Sequence, residues 1–205
     1  MLNFPHSMKL DLLYITFIIF SYTLWNSQAY GIQLKLDEHS IKEAVQYGFD
    51  NKDLTHPELL KAWRIDLGYG VGSATLVTPY GGLIILGKES ALKFRKPTET
   101  EIEKELEEKV GKLSFGCGLY GEEIDFAPGC KALLEYKGEK REPIYTNLPA
   151  PARYTKTYPT PPKYWALCFF SFPMAGISTN DTVTLIITDP KGKELRFTFD
   201  LSKLK

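Results

Sequence analysis

The sequence is poor in the residues on which metal and covalent chemistry depend. Its 205 residues include three cysteines and three histidines, and 25 basic side chains are matched by 25 acidic ones. The chain therefore lacks the basic excess expected of a nucleic-acid-binding protein. Three cysteines are also too few for a small disulfide-stapled scaffold. We expect no nucleic-acid partner, no metal site and no cofactor.

The longest apolar run is shorter than the roughly 20 residues that a transmembrane helix needs. Residues 12–25 are uncharged and mostly apolar, with Lys9 before them and Ser27 and Ala29 after them. This order is typical of a secretory signal peptide cleaved after Ala29. We expect an exported protein, periplasmic or extracellular, that contacts a membrane only if residues 1–29 stay uncleaved.

Sequence motifs for catalysis are also missing. After cleavage the chain keeps only His39 and His56, each near a predicted helix start. A Ser-His-Asp hydrolase needs a base within hydrogen-bond reach of its nucleophile. Neither Ser73 nor Ser114 lies in the G-x-S-x-G turn of such enzymes. The sequence therefore assigns no catalytic residue.

Residues 30–110 have a helical period. Apolar residues recur there at the spacing of one helix face: Ile41, Ala44, Val45 and Phe49. Asp37 is a suitable N-cap, and Thr55 and Thr98 each precede a glutamate by three residues, the pattern of a capping box. We predict helices after each of these three positions, within a helical region over residues 30–110.

Residues 74–94 have two interpretations. Thr78 and Pro79 could begin a helix, or residues 79–82 could form the turn of a hairpin. We favour the helix because the segments on both sides are helical.

After Gly111 the period changes to two. Residues 113–119, 130–136, 183–187 and 195–201 alternate between apolar and small or polar side chains, as half-buried strands do. Residues 165–172 are apolar on both faces, which predicts a central strand. The expected fold class is α+β: an N-terminal helical region followed by a small antiparallel β-sandwich over residues 111–205, immunoglobulin-like in the loose sense.

Cys117 and Cys130 fall on the apolar faces of two predicted strands that we expect to be neighbours. An oxidising compartment would allow a disulfide between them, and two buried free thiols are the alternative. Cys168 is expected to be a core thiol. The sequence leaves the pairing open.

The segment between residues 145 and 163 has no regular period and is rich in proline and tyrosine. Irregular segments of this length are uncommon in compact domains and often carry function. Tyrosine on stiff backbone forms a contact surface with little loss of entropy. We therefore predict a binding surface formed by Tyr145, Arg153, Tyr154, Tyr158 and Tyr164.

The hairpin around residues 189–192, followed by Phe199, Asp200 and Leu201, ends a chain that begins with a signal peptide and a helical region. This layout resembles uncharacterised exported, periplasmic proteins of Gram-negative bacteria. The resemblance implies a compartment and carries over no catalytic residue.

The expected function is that of an exported, non-enzymatic binding or envelope-associated protein whose partner is an envelope protein or a small ligand. One alternative is a small envelope polysaccharide hydrolase that uses the loop carboxylates of Glu122, Glu123 or Asp125. Another is a scaffold subunit of an envelope complex, docked through its helical region.

Overall fold

The computed structural model describes residues 35–204 of the chain. The predicted signal peptide and its cleavage site after Ala29 lie outside these residues. Within the described range the chain forms helices and two antiparallel β-sheets, so the expected α+β class is confirmed. None of the helices in this range has the length and apolar character needed to cross a bilayer.

The helices begin where the sequence predicts caps. They are α1 (Glu38–Asp50), α2 (His56–Leu59), α3 (Pro79–Leu92) and α4 (Glu99–Lys109). The Asp37 carboxylate accepts a hydrogen bond from the Ser40 amide at 2.7 Å, and Thr98 and Glu101 form a reciprocal capping box. Thr78 caps α3, so residues 79–92 are helical and the hairpin interpretation is wrong.

The strands form two sheets. They are β1 (Arg64–Asp66), β2 (Gly72–Val77), β3 (Lys112–Gly121), β4 (Lys131–Tyr136), β5 (Glu139–Arg141), β6 (Tyr145–Asn147), β7 (Arg153–Tyr154), β8 (Tyr164–Pro173), β9 (Thr182–Thr188) and β10 (Glu194–Asp200). The first sheet has the order β1-β2-β3-β8-β6, with β7 also paired to β8, and the second has the order β10-β9-β4-β5.

Strands β1 and β2 correct the expectation of a wholly helical region over residues 30–110. Both belong to the first sheet, where β2 pairs with β3 along its whole length. Ala74 and Leu76 of β2 are buried in the core. The strand forms because it pairs with β3, which lies about forty residues later in the sequence. Such non-local pairing overrides a local helical period.

The two sheets contact each other through their apolar inner faces. Phe115 of β3 lies 5.3 Å from Phe199 of β10, measured between ring centroids, and both side chains are buried. Leu83 and Ile84 of α3 belong to the same hydrophobic core. One continuous core therefore joins the first sheet, the second sheet and the helices.

The cysteines are free and buried, so the structure contains no disulfide between Cys117 and Cys130. Cys117 lies opposite Cys168 in the register of β3 and β8. The expectation that the strands of Cys117 and Cys130 are neighbours is wrong, because β3 lies in the first sheet and Cys130 precedes β4 of the second.

Candidate functional site

The side of β8 that points away from the second sheet carries exposed apolar residues. Ala166, Cys168 and Phe170 are buried, whereas Leu167 is 41% exposed and Phe169 is 38% exposed. Successive side chains of a strand point to opposite faces. The exposed row therefore lies on one face of the first sheet, which we call the outer face. Contiguous exposed apolar surface on one face of a sheet is a candidate interaction site.

Glycines of β3 lie beneath this row. Gly116 is opposite Phe169 and Gly118 is opposite Leu167 in the strand register. A Cβ atom at Gly116 would lie 3.4 Å from the Phe169 ring, and one at Gly118 would lie 3.1 Å from Nε1 of Trp165. The side chains of β8 therefore lie over the bare backbone of β3, with no side chain of β3 between them and solvent at these two positions.

Two adjoining cavities run along the outer face, with volumes of about 390 and 280 Å³. Both are lined by Asn147 and Phe169, and together we call them the outer-face groove. Helices α3 and α4 form one wall through Leu86 and Glu105, and residues 149–153 form the other end. The volumes lie in or close to the range typical of small-ligand sites.

Polar groups of both signs surround the apolar floor of the groove. Ser114 and Ser171 share a hydrogen bond of 2.9 Å between their hydroxyl oxygens. Lys109 lies 3.4 Å from the Glu105 carboxylate, and both side chains are largely buried. Donors and acceptors that are still exposed come from Tyr145 and Arg153. The lining thus combines aromatic surface with hydrogen-bonding groups and no dominant charge.

Three of the predicted binding tyrosines form a separate aromatic cluster. Tyr154 lies 4.5 Å from Tyr158 and 5.6 Å from Tyr164, between ring centroids, and Tyr158 lies 5.9 Å from Tyr164. Tyr154 remains 63% exposed and Tyr158 48% exposed. Desolvation in the cluster raises the pKa of Tyr164 above its ordinary value.

Internal hydrogen bonds hold the segment that carries this cluster. The Thr155 amide donates to the Lys163 carbonyl oxygen at 2.9 Å, and the Thr155 hydroxyl donates to the carbonyl oxygen of Pro162. The Tyr69 and Thr157 hydroxyls are 2.9 Å apart, and the Lys156 ammonium lies 4.5 Å from the Tyr69 ring centroid. These bonds close residues 155–163 into a loop and connect its tip to Tyr69.

The structure divides the five predicted binding residues between two surfaces. Tyr145 and Arg153 line the outer-face groove. Arg153 and Tyr154 are consecutive in β7, and they pair with Trp165 and Tyr164 of β8. Their side chains consequently lie on opposite faces of the sheet, and Tyr154, Tyr158 and Tyr164 belong to the aromatic cluster.

Trp165, Leu167 and Phe169 were not predicted as binding residues. Their segment is apolar on both faces, and that pattern predicts a central strand. The strand is central, since β3 pairs with one edge and β6 and β7 with the other. The signal that the outer face is open lies in β3, where Ser114, Gly116 and Gly118 leave that side without large side chains.

The carboxylates of the hydrolase alternative line a third cavity, of about 350 Å³, which we call the end cavity. Glu122, Glu123 and Asp125 contribute to it, together with the turn between β9 and β10. Glu122 lies 3.9 Å from the Lys163 ammonium. Asp189 of the turn accepts hydrogen bonds from the amides of Lys191 and Lys193, each at 2.9 Å, so this carboxylate stabilises the turn.

The cysteines do not supply a nucleophile. Burial raises the pKa of Cys130 to about 11 and that of Cys168 to about 12, and it raises the pKa of Cys117 as well. A thiol acts as a nucleophile or metal ligand in its thiolate form. Within residues 35–204, no group of three or more histidine, cysteine or acidic side chains is placed to hold a metal ion.

Comparisons with known proteins assign no function to these surfaces, so their function is inferred from the residues that line them. No protein-family model, no curated protein and no solved structure matches the chain.

Proposed function

We propose that this protein is an exported, non-enzymatic binding protein that holds a neutral oligosaccharide in the outer-face groove. The observation that carries the proposal is the row formed by Trp165, Leu167 and Phe169, which lies on the groove floor beside hydrogen-bonding side chains. The export part of the proposal rests on Lys9 and the apolar residues 12–25.

The chemistry of a sugar ring matches the two kinds of lining. A pyranose presents an apolar C–H face that packs on flat aromatic surface, and a rim of hydroxyl groups that donate and accept hydrogen bonds. Phe169 and Tyr145 offer aromatic surface, and Asn147 and Arg153 offer amide and guanidinium groups.

The charge balance of the groove favours a neutral ligand over an ionic one. Glu89 and Glu105 are offset by Lys109 and Arg153, and Glu105 is already paired with Lys109. A strongly charged ligand would leave part of this set without a partner, which is costly in a partly buried site. We therefore place neutral glycans of the bacterial envelope first among candidate ligands.

The test is a titration of the protein with a panel of neutral and charged oligosaccharides, followed by calorimetry and NMR. Phe169→Thr removes the ring but keeps a residue suited to a strand, and we expect it to weaken binding about tenfold or more, equivalent to about 1.4 kcal/mol. Tyr158→Ala is the matched control, because it removes an aromatic ring from the tyrosine cluster and leaves the groove unchanged. Unchanged binding by Phe169→Thr, or no binding of any oligosaccharide in the panel, would refute the proposal that the outer-face groove binds an oligosaccharide.

The variants Phe169→Thr and Tyr158→Ala also test whether the tyrosine cluster is the contact surface. If capture of an envelope protein in cells depends on Tyr154 and Tyr158 and not on Phe169, the contact surface is the one first predicted from the sequence. In-cell cross-linking that maps to residues 153–164 would identify this outcome.

The hydrolase alternative has one observation in its favour: Glu122, Glu123 and Asp125 line a single cavity. Two carboxyl groups that face one sugar can act as acid and base or nucleophile. In that case the chain would cleave a glycan in the panel, and Glu122→Gln, Glu123→Gln or Asp125→Asn would abolish turnover. Turnover that is unchanged in all three variants would exclude these carboxylates.

An immunoglobulin-like arrangement of the two sheets stays part of the proposal. Phe115 and Phe199 support it, because they bring the inner faces of the two sheets into contact. The groove lies on the outer face of one sheet, so the binding proposal does not depend on this resemblance.

A further inference from the structure

Helix α3 ends in a backbone motif that favours glycine, and the residue there is Phe94. The Phe94 amide donates to the Ala91 carbonyl oxygen at 3.0 Å, and the Arg95 amide donates to that of Ser90 at 3.1 Å. These two bonds define a Schellman motif. Phe94 has a φ of 57°, in the left-handed region that disfavours bulky side chains.

The Phe94 side chain gains almost nothing from the rest of the chain. It is 92% exposed, and the neighbouring Leu92 is 54% exposed. A glycine at this position would avoid both the unfavourable backbone conformation and the exposure of an aromatic ring to water. An exposed aromatic residue in such a position is expected where the ring has an external partner.

The residues around the ring are cationic. Lys93, Arg95 and Lys96 flank Phe94, and residues 92–97 include no acidic side chain. The Lys52 ammonium lies 6.0 Å from the Phe94 ring centroid. Arg95 is paired with Glu101 at 2.5 Å, so the unpaired positive charge of the tip comes mainly from the three lysines.

A buried lysine fixes this tip to the rest of the helical layer. The Lys88 ammonium donates to the Leu54 carbonyl oxygen at 2.5 Å and to the Lys52 carbonyl oxygen. These contacts join the turn after α1 to the last turns of α3. The hydrogen bonds of Lys88 therefore hold the turn that carries Lys52 next to the end of α3 that carries Phe94.

We propose that this tip, formed by Leu92, Lys93, Phe94, Lys96 and Lys52, docks on an anionic phospholipid surface. The Phe94 ring enters the interface between headgroups and acyl chains, and the lysines contact lipid phosphates from above it. The occupant is inferred from an exposed aromatic ring beside Lys52, Lys93 and Lys96, none of which forms an ion pair with another residue in the range 35–204. This contact is independent of the outer-face groove and of the ligand proposed for it.

The test uses residues 31–205, which form one compact unit with its own core. This form removes any contribution of the apolar residues 12–25. Binding is measured by co-sedimentation with vesicles of phosphatidylcholine alone and of phosphatidylcholine mixed with phosphatidylglycerol. We expect binding to the anionic vesicles only, weakened by added salt because salt screens the contact between lysines and phosphates.

Phe94→Gly should reduce the fraction bound to anionic vesicles about tenfold, and Lys93→Glu combined with Lys96→Glu should abolish binding. The matched control is Val110→Ser, since Val110 is also an exposed apolar residue at a helix end, with 68% exposure. Phe94→Gly suits its backbone conformation, so circular dichroism should show a folded protein and exclude unfolding as the cause of the loss.

Fluorescence quenching measures whether the side chain at position 94 itself enters the membrane. In Phe94→Trp, brominated lipids should quench fluorescence beyond the quenching seen in the parent protein, because the new indole lies among the acyl chains. Equal binding to neutral vesicles, undiminished binding by Phe94→Gly or no vesicle binding at all would each overturn the proposal. In the last case, retention of the protein by an acidic peptide matrix through Phe94 would point to a protein partner instead.

Discussion

Gly48 of α1 lies against the carbonyl oxygen of Ile84 in α3, so close that a Cβ atom at position 48 would overlap it. Gly87 of α3 has the same relationship to the Val45 carbonyl oxygen. The two helices thus cross with their backbones in contact, and each contributes a glycine to the crossing. This contact holds α1 on the rest of the fold.

Gly48→Ala should destabilise the protein because the methyl group has no space at this crossing. Overpacking of this kind costs about 1–3 kcal/mol, which corresponds to a fall in melting temperature of several degrees in a chain of this size. Gly81→Ala in α3 is the matched control, since its Cβ would be 3.4 Å from the nearest atom. Equal melting temperatures for the two variants would contradict the close crossing.

Lys88→Met should also lower stability. The ammonium of Lys88 is the hydrogen-bond donor for the carbonyl oxygens of Lys52 and Leu54, and the residue is buried. Removing one partner of a buried hydrogen bond costs about 1–3 kcal/mol. Lys104→Met, at an exposed site of α4, is expected to leave the denaturant midpoint unchanged. A midpoint that is insensitive to Lys88→Met would show that water replaces the ammonium.

Phe94→Gly should raise stability, in contrast to most substitutions. Relief of the left-handed conformation gains about 1–2 kcal/mol, and the greater freedom of glycine in the unfolded chain offsets about 0.5–1 kcal/mol of it. Phe94→Ala keeps the unfavourable φ and serves as the control, with no gain. Thermal unfolding of the two variants distinguishes these effects, and a lower melting temperature for Phe94→Gly would show that the ring packs usefully.

The Glu101 carboxyl should titrate far below its usual value. Hydrogen bonds from Arg95, and then from the Thr98 amide, lower its pKa from 4.5 to about 2. Because the pKa is lower in the folded state, the stabilisation is present above pH 4.5 and is lost as the pH falls towards 2. Glu101→Gln should lose this part of the acid dependence. An NMR titration midpoint near 4.5 would contradict the contact with Arg95.

The three thiols should be inaccessible to modification in the native protein. Cys117, Cys130 and Cys168 are buried, and burial raises the pKa of each thiol. A maleimide reagent at neutral pH should leave the folded protein unlabelled and add three labels after denaturation. Fewer than three labels under denaturing, non-reducing conditions would reveal a disulfide.

The elements fixed by local sequence could be predicted, and those fixed by distant partners could not. The caps at Asp37 and Thr98 depend on groups only three residues apart, so the sequence alone indicates them. Strand β2 depends on pairing with β3, whose residues are far away in the chain. The tight crossing of α1 and α3 at Gly48 is likewise visible only once the helices are packed.

The candidate site shows the same division. Tyr145 and Arg153 could be selected from composition, because aromatic and cationic residues in an irregular segment are common in contact surfaces. Phe169 could not be selected from its own segment, because a run of apolar residues does not show which face of its strand is covered; that signal lies in the small residues of β3. Nor could the separation of Arg153 from Tyr154 be anticipated, since it depends on both residues entering β7.

The strand order also decides when the chain can become compact during its synthesis. Strand β3 completes the first sheet only with β8, and β4 pairs with β9. The first sheet cannot be complete before β8 (Tyr164–Pro173) has been synthesised, and the second cannot be complete before β10 (Glu194–Asp200), so both sheets close late in the synthesis of the chain.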